Sequence, residues 1–312
     1  MNRVDKLLNS RMKSSLAPVI PEVTNHLINA GGKRIRPLLT LAVAKMFDYS
    51  GHHHINLAAT VEYIHTATLL HDDVIDESKK RRGKPTANML WDNKLSVLVG
   101  DFLFSRAFQL MVETNSIRVL ESLANASATI SQSEVLQMTL AQDISTNQEQ
   151  YLQVVRGKTA ALFSAACEVG GIISEAKSSQ IKSLTEYGDA LGISFQIMDD
   201  YLDYCQSNEN LGKNSGDDFR ERKITLPVLL SLSKKNQENN SFWKRTIAKG
   251  NQRDSDFISA QKILREDNSL EETKEKAVAW SEIARTKLKL LPKGKINNFL
   301  DELTKFMTSR IT

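Results

Sequence analysis

Two short acidic runs stand out. His71-Asp72-Asp73-Val74-Ile75-Asp76 sets Asp72 and Asp76 four residues apart and Asp73 and Asp76 three apart. On a helix, those spacings put three carboxylates in one narrow sector. Like charges so placed destabilise a helix unless something neutralises them. The preceding run, Thr66-Ala67-Thr68-Leu69-Leu70, is apolar and argues against a solvated acidic face. A hard cation such as Mg²⁺, which takes oxygen ligands, resolves the repulsion. The pattern recurs as Asp199-Asp200-Tyr201-Leu202-Asp203 at the end of Phe195-Gln196-Ile197-Met198. One such cluster is compatible with chance, whereas two at the polar ends of apolar helices point to a shared task. Mg²⁺ commonly binds one or two carboxylates together with phosphate oxygens and water, so two clusters imply a diphosphate bridged to protein by several ions.

Basic residues follow the acidic ones. Gly31-Gly32-Lys33-Arg34-Ile35-Arg36-Pro37 sets three cations at a glycine loop entering a helix. Lys79-Lys80-Arg81-Arg82-Gly83 trails the first acidic run and is basic enough to steer anions. Gly157-Lys158-Thr159 interrupts a helix, and Gly212-Lys213-Asn214-Ser215-Gly216-Asp217-Asp218 with Lys223 follows the second run. Arginine forks suit phosphate oxygens and lysine supplies a point charge. Taken singly, each is an ordinary solvated charge; their order along the chain, alternating with the acidic runs, gives them weight. His65 lies seven residues before Asp72, nearly two helical turns, and so faces the same way. By itself it would read as a core histidine. The run His52-His53-His54 reads as a loop, because consecutive helical residues splay about 100° apart and rarely share a metal.

The elements that must position these residues are helical. The chain has 312 residues with only 14 Gly and 6 Pro, few for a protein of strands and tight turns. Forty-one Lys and Arg against 37 Asp and Glu leave a net charge of +4, too balanced to indicate a nucleic-acid partner. Cys167 and Cys205 form no metal-binding spacing and suggest a reducing, cytoplasmic setting. The N-terminus lacks the apolar core of a secretion signal, and no uncharged run approaches the ~18 residues of a membrane span. Expected helices run from Pro37, from about 57 to 77, after Gly100, from 116 to about 142, from 151 to about 170, from 178 to about 203 and from Pro227. Segments 204–222 and 234–241 read as loops. The expectation is one all-α domain over residues 1–312, a single large bundle of ten or more helices.

Gly-Gly-Lys-Arg-Ile-Arg-Pro, Asp-Asp-Val-Ile-Asp with its trailing Arg-Arg-Gly, and Asp-Asp-Tyr-Leu-Asp with Gly-Lys and Lys-Ile-Thr-Leu-Pro resemble, in order, the motifs of the trans-polyprenyl diphosphate synthases. The match covers about residues 30–230. The resemblance implies the isoprenoid synthase fold, with helices around a central cavity. It also implies a head-to-tail prenyltransferase that extends an allylic diphosphate with isopentenyl diphosphate units. Asp72, Asp73, Asp76, Asp199, Asp200 and Asp203 would hold Mg²⁺, three ions with substrate bound. Lys33, Arg36, His65 and Arg82 would grip isopentenyl diphosphate. Arg81, Lys158, Thr159, Gln196, Lys213 and Lys223 would serve the allylic diphosphate. A homodimer is also implied. Arg222 departs from the pattern, which usually has a small residue there.

A growing chain needs an apolar path, and the natural one runs back along the Asp72 helix past Thr68, Ile64 and Val61. In the resembled family, bulk four and five residues before the first Asp limits product length. Ala67 and Thr68 are small, so the expected product is long, about octaprenyl, of the kind used in ubiquinone and other quinone side chains. Phe104, Phe108 and Met111, at i, i+4 and i+7, are candidates for the tunnel floor. Such a product would draw the enzyme loosely to a membrane. Rival readings are a C15–C20 synthase, a terpene cyclase, whose second metal motif differs from Asp199-Asp200-x-x-Asp203, and a non-catalytic partner subunit, which commonly lacks one or both acidic motifs.

Overall fold

The computed structural model describes residues 1–29, 31–205 and 216–309. Among them the chain is helical except for a two-strand antiparallel ladder, β1 (Lys80–Arg81) with β2 (Lys84–Pro85). Four helices precede the ladder: α1 (Asn2–Arg11), α2 (Val19–Asn29), α3 (Ile35–Met46) and α4 (His53–Ile75). After it come α5 (Ala87–Leu90), α6 (Asn93–Val112), α7 (Ile117–Leu140), α8 (Gln148–Val155), α9 (Ala161–Ile173) and α10 (Ser178–Cys205). The remainder is α11 (Asp217–Arg220), α12 (Leu226–Ser233), α13 (Gln237–Trp243), α14 (Asp256–Glu266), α15 (Ser269–Leu288) and α16 (Lys295–Thr308). The all-α expectation holds.

Contacts group the chain into two compact units. One comprises Met1–Ser127, Leu162–Thr185 and Leu290–Asn297; the other comprises Ala128–Ala161, Glu186–Lys289 and Asn298–Thr312. In the first, α4 is buried on nearly every side between Leu57 and Ala67, as a central helix must be when it is apolar all round. It packs against α1, α3 and most extensively α6. Gly100 permits one close approach: a Cβ there would lie 2.2 Å from the His71 ring. The Tyr63 hydroxyl donates to the Leu8 carbonyl at 2.7 Å and fastens α1. In the second unit α12 packs against α15, and Ile197 and Met198 of α10, Leu229 of α12 and Ala277 of α15 are buried in one apolar cluster. The Ser194 hydroxyl donates to the Ala277 carbonyl at 2.7 Å.

Several boundaries differ from expectation. His53 and His54 open α4 instead of lying in a loop. α6 starts at Asn93, capped by Asp92, and Gly100 lies inside it. By length and composition α6 alone among the described helices could span a membrane; Leu103, Ala107 and Leu110 instead pack within its unit. The helix expected from Tyr151 is broken by a π-helical turn, Arg156–Ala160. A second such turn, Lys244–Ala248, follows α13. α10 runs to Cys205, and α11 and α13 occupy parts of the expected loops. Arg222 has φ of 58°, the left-handed region that favours glycine, which explains why a small residue is expected there.

Candidate active site

The first acidic run closes α4, with Asp76 as its C-cap. Asp73 is 1 % exposed. Its Oδ1 accepts from Arg81 Nε at 2.9 Å and pairs with Arg81 Nη2 at 2.8 Å, because the β1–β2 ladder folds the chain back on the helix end. Its Oδ2 is buried without a hydrogen-bond partner. Burial raises the Asp73 pKa against the pull of Arg81. Asp72 and Asp76 are half-buried.

Two turns earlier the same helix meets the basic loop. Arg34 caps α3 with φ of 49° and forms an ion pair with buried Glu62. Arg36 Nη1 lies 3.2 Å from His65 Nε2, and its guanidinium stacks 4.7 Å above the Phe163 ring. Burial, then the charges of Arg36, Arg81, Arg82 and Arg34, hold the His65 pKa well below its ordinary value. His65 is therefore neutral and accepts from arginine. The Arg82 guanidinium lies against Gly32, where a Cβ would come within 2.9 Å of Nη1. Lys33 is exposed on that loop. Arg36, His65 and Arg82 are thus brought together; sequence reasoning counted Arg34 among the loop cations without giving it a role, and missed Glu62. Glu62 precedes His65 by three residues, a spacing that marks a shared helix face.

The second acidic run is arranged differently. Asp200 is 3 % exposed. Its Oδ2 accepts from the Tyr151 hydroxyl at 2.5 Å and its Oδ1 from Gln196 Nε2 at 2.9 Å. The Gln196 Oε1 accepts from the Thr159 hydroxyl at 2.7 Å. Asp203 receives the backbone N–H groups of Gly216 and Asp217 on Oδ1, and that of Asp218 on Oδ2, at 3.1–3.2 Å. It thereby caps α11. Burial is the largest influence raising Asp200 to about 7 and Asp203 to about 6. Asp218 is also raised, by burial and by Asp203 and Asp200. Asp199 is half-buried on the same helix end. Tyr151 and Asp218 were not singled out from sequence. Tyr151 lies seven residues before Lys158, two turns back, a signal that was available.

Lys158 sits in the π-helical turn and donates to Glu134 Oε2 and Gln137 Oε1, both at 2.9 Å. π turns occur frequently at functional sites. Gly157 has its reason: a Cβ there would lie 2.5 Å from Ser133 Cβ. Lys223 pairs with Glu221 at 2.6 Å. Lys213 lies outside the described residues.

The expected path along α4 is partly revised. His65, Thr68, Leu69 and Asp72 form the face that water reaches, whereas Ile64 and Ala67 are fully enclosed by packing. The Thr68 hydroxyl donates back to the His65 carbonyl at 2.8 Å, satisfying that polar group on its own helix. Phe104, Phe108 and Met111 do not make one wall: Met111 is 1 % exposed and Phe108 44 %. Met111 lies on the buried side of α6 with Leu103, Ala107 and Leu110, whereas Phe108 points outward and borders an open surface groove of about 550 Å³ with Arg11, Arg106 and Glu113.

These donor sets suit a diphosphate and Mg²⁺. Among the described residues no three His, Cys, Asp or Glu converge to hold an ion unaided. Mg²⁺ does not require that, since phosphate and water oxygens complete its octahedron. The orphaned Asp73 oxygen and the buried carboxylates of α10 are oxygen donors that gain from a cation.

Residues 17–264 match the family described as polyprenyl synthetase. The chain is 42 % identical over 274 residues to octaprenyl diphosphate synthase of Escherichia coli K12, covering 88 % of this chain and 84 % of that protein. It resembles the crystal structure of a decaprenyl diphosphate synthase from Rhodobacter capsulatus, with TM-score 0.96 and 55 % identity, over 100 % of this chain and 96 % of that one. It also resembles a polyprenyl synthase from Caulobacter crescentus crystallised with calcium and isoprenyl diphosphate, with TM-score 0.96 and 45 % identity, covering 100 % and 95 %.

Proposed function

The chain belongs to the polyprenyl synthetase family, and from that premise we propose how its residues divide the work of a long-chain trans-prenyltransferase. The enzyme joins isopentenyl diphosphate to an allylic diphosphate. The allylic C–O bond breaks and diphosphate departs. The double bond of isopentenyl diphosphate forms a new C–C bond to the allylic cation. A proton is lost, and the chain is five carbons longer.

Asp72, Asp73, Asp76, Asp199, Asp200 and Asp203 would hold Mg²⁺, in our reading three ions. Bound there, Mg²⁺ supplies Lewis-acid stabilisation of charge developing on the leaving diphosphate. The calcium in the Caulobacter crescentus relative supports a divalent cation. Lys33, Arg36, Arg82 and neutral His65 bind isopentenyl diphosphate. Lys158 and Lys223, with Lys213, bind the allylic diphosphate. Thr159 and Gln196 line its reacting carbon. Arg81 serves both roles: it neutralises Asp73 before substrate arrives and contacts diphosphate afterwards.

The observation that carries this reading is the α4 geometry: a buried carboxylate oxygen without a partner, two turns from arginines gathered around a neutral histidine. Chelator-stripped protein given farnesyl and isopentenyl diphosphates should release no diphosphate, and added Mg²⁺ should restore release. Full release in excess chelator would overturn the metal assignment.

The product is about octaprenyl in length, destined for quinone side chains, as small Ala67 and Thr68 and the octaprenyl and decaprenyl relatives support. The enzyme is cytoplasmic and meets a membrane when so long a product leaves. It is a homodimer. The outer face of α6 supports this, with Leu98 63 % and Val112 62 % exposed. Sedimentation should give twice the 35.0 kDa chain mass.

A further inference from the structure

Tyr151 has no part in the roles assigned above, yet it is one of the most committed polar groups in its unit. Its side chain is buried and its hydroxyl donates to Asp200 Oδ2 at 2.5 Å. The opposite oxygen of Asp200 takes the Gln196 amide at 2.9 Å, and Gln196 in turn accepts from Thr159 at 2.7 Å. Tyr151 lies in α8 and Thr159 in the π-helical turn that follows it, so the chain Tyr151–Asp200–Gln196–Thr159 ties both to α10.

Both donors to Asp200 come from neutral groups. They fix the plane of the carboxylate while leaving its charge and one lone pair on each oxygen uncommitted. A carboxylate free to rotate would lose entropy on taking a cation, whereas one already clamped is preorganised. The same clamp sets the rotation of Gln196 and hence the position of Thr159. Lys158, the preceding residue in the turn, is held by Glu134 and Gln137. The turn is therefore fastened both through Lys158 and through Asp200.

We propose that Tyr151 is a positioning residue of the allylic half: by clamping Asp200 it presents that carboxylate to the metal and, through Gln196, sets the π-helical turn that carries Lys158 and Thr159. This rests on the reading of Asp199, Asp200 and Lys158 as the allylic diphosphate site. Removing a group that orients a metal ligand typically costs 10–100-fold in metal affinity or activity.

The test is Tyr151→Phe in the full chain. The KM for farnesyl diphosphate should rise about ten-fold or more while that for isopentenyl diphosphate stays within two-fold. The Mg²⁺ concentration that half-saturates binding of inorganic diphosphate, read by calorimetry without turnover, should rise by a similar factor. Thr159→Val cuts the chain at its far end; inorganic diphosphate has no reacting carbon for Thr159 to line, so a raised Mg²⁺ requirement for its binding in this variant would be transmitted through Gln196 and Asp200, and an unchanged one overturns the proposal if Tyr151→Phe does not fold. Equal movement of both KM values, or an unchanged Mg²⁺ requirement in folded Tyr151→Phe, would overturn the proposal. Asp199→Asn separates the two levels. If it loses Mg²⁺-dependent diphosphate binding while Tyr151→Phe does not, only the role of Tyr151 falls. If Asp199→Asn binds normally, the site reading falls and the proposal with it.

Discussion

The ends of α4 and α10 carry the same Asp-Asp-x-x-Asp spacing, but their charge is balanced in opposite ways. At α4 the buried carboxylate of Asp73 meets a cation, Arg81, and arginines crowd the helix two turns back. At α10 the buried carboxylate of Asp200 meets the neutral donors Tyr151 and Gln196, and three backbone N–H groups donate to Asp203. A cation compensates charge inside the fold. Neutral donors orient a carboxylate without cancelling its charge, and burial raises Asp200 and Asp203 to about 7 and 6; burial raises Asp73 as well, but there Arg81 pulls the other way. One spacing in the sequence thus yields one end whose buried carboxylate is paired with an arginine and one whose buried Asp200 is held by neutral donors.

The comparison first yields a symmetry. The proposed function assigns both ends to the leaving diphosphate, so Asp72→Asn and Asp199→Asn should each lower kcat by about 10²–10³-fold, the range for losing one stabiliser of developing charge. Single-turnover rates check this, and a large effect at one helix end alone would break the symmetry.

Stability should separate the ends. Asp73→Asn takes the carboxylate from a charge-assisted pair and should cost roughly 1.5–3 kcal/mol. Asp200→Asn relieves a carboxylate that burial disfavours, so metal-free stability at pH 8 should hold or rise. Urea denaturation of both variants measures the contrast.

A smaller signature follows from pH. The folded protein keeps protons on Asp200 and Asp203 up to about 7 and 6, where the unfolded chain has already released them. Folding then binds protons, and stability falls as pH rises from about 4 to about 7. Melting temperature of metal-free protein should decline across that window, and less so in Asp200→Asn. A flat or rising profile with no difference between them would contradict the neutral-donor account of α10.

The mildest change concerns product length, which the proposed function assigns to α4. Thr68 lies on the water-reaching face and Ala67 is enclosed. Thr68→Phe should shorten the product by one or more isoprene units with little change in initial rate. Ala67→Phe should also shorten it, with a stability cost of about 1–3 kcal/mol from overpacking. Chromatography of dephosphorylated products reads both, and unchanged length in Thr68→Phe would remove that face from the chain path.

The long helices were legible because apolar periodicity and low glycine and proline content are local properties. The acidic runs were legible because three carboxylates at helical spacing are costly without a partner. What those carboxylates touch was not, since Tyr151 precedes Asp200 by 49 residues and Glu62 follows Arg34 by 28. The π-helical turn was visible only as an interruption at Gly157, because periodicity does not distinguish a widened turn from a break. His53 and His54 were misplaced for want of an N-cap signal: His52 makes no side-chain cap bond. Phe104, Phe108 and Met111 show the limit of periodicity, which groups side chains in a broad sector but does not say where around the helix the core ends: Met111 falls inside it and Phe108 outside.

The most direct test of the central claim is the product ladder. Purified protein would be incubated with Mg²⁺, labelled isopentenyl diphosphate and farnesyl diphosphate, and the products separated by length. The account predicts successive five-carbon additions ending near forty carbons. Products that stop at fifteen or twenty carbons, or no elongation from any allylic primer, would contradict it.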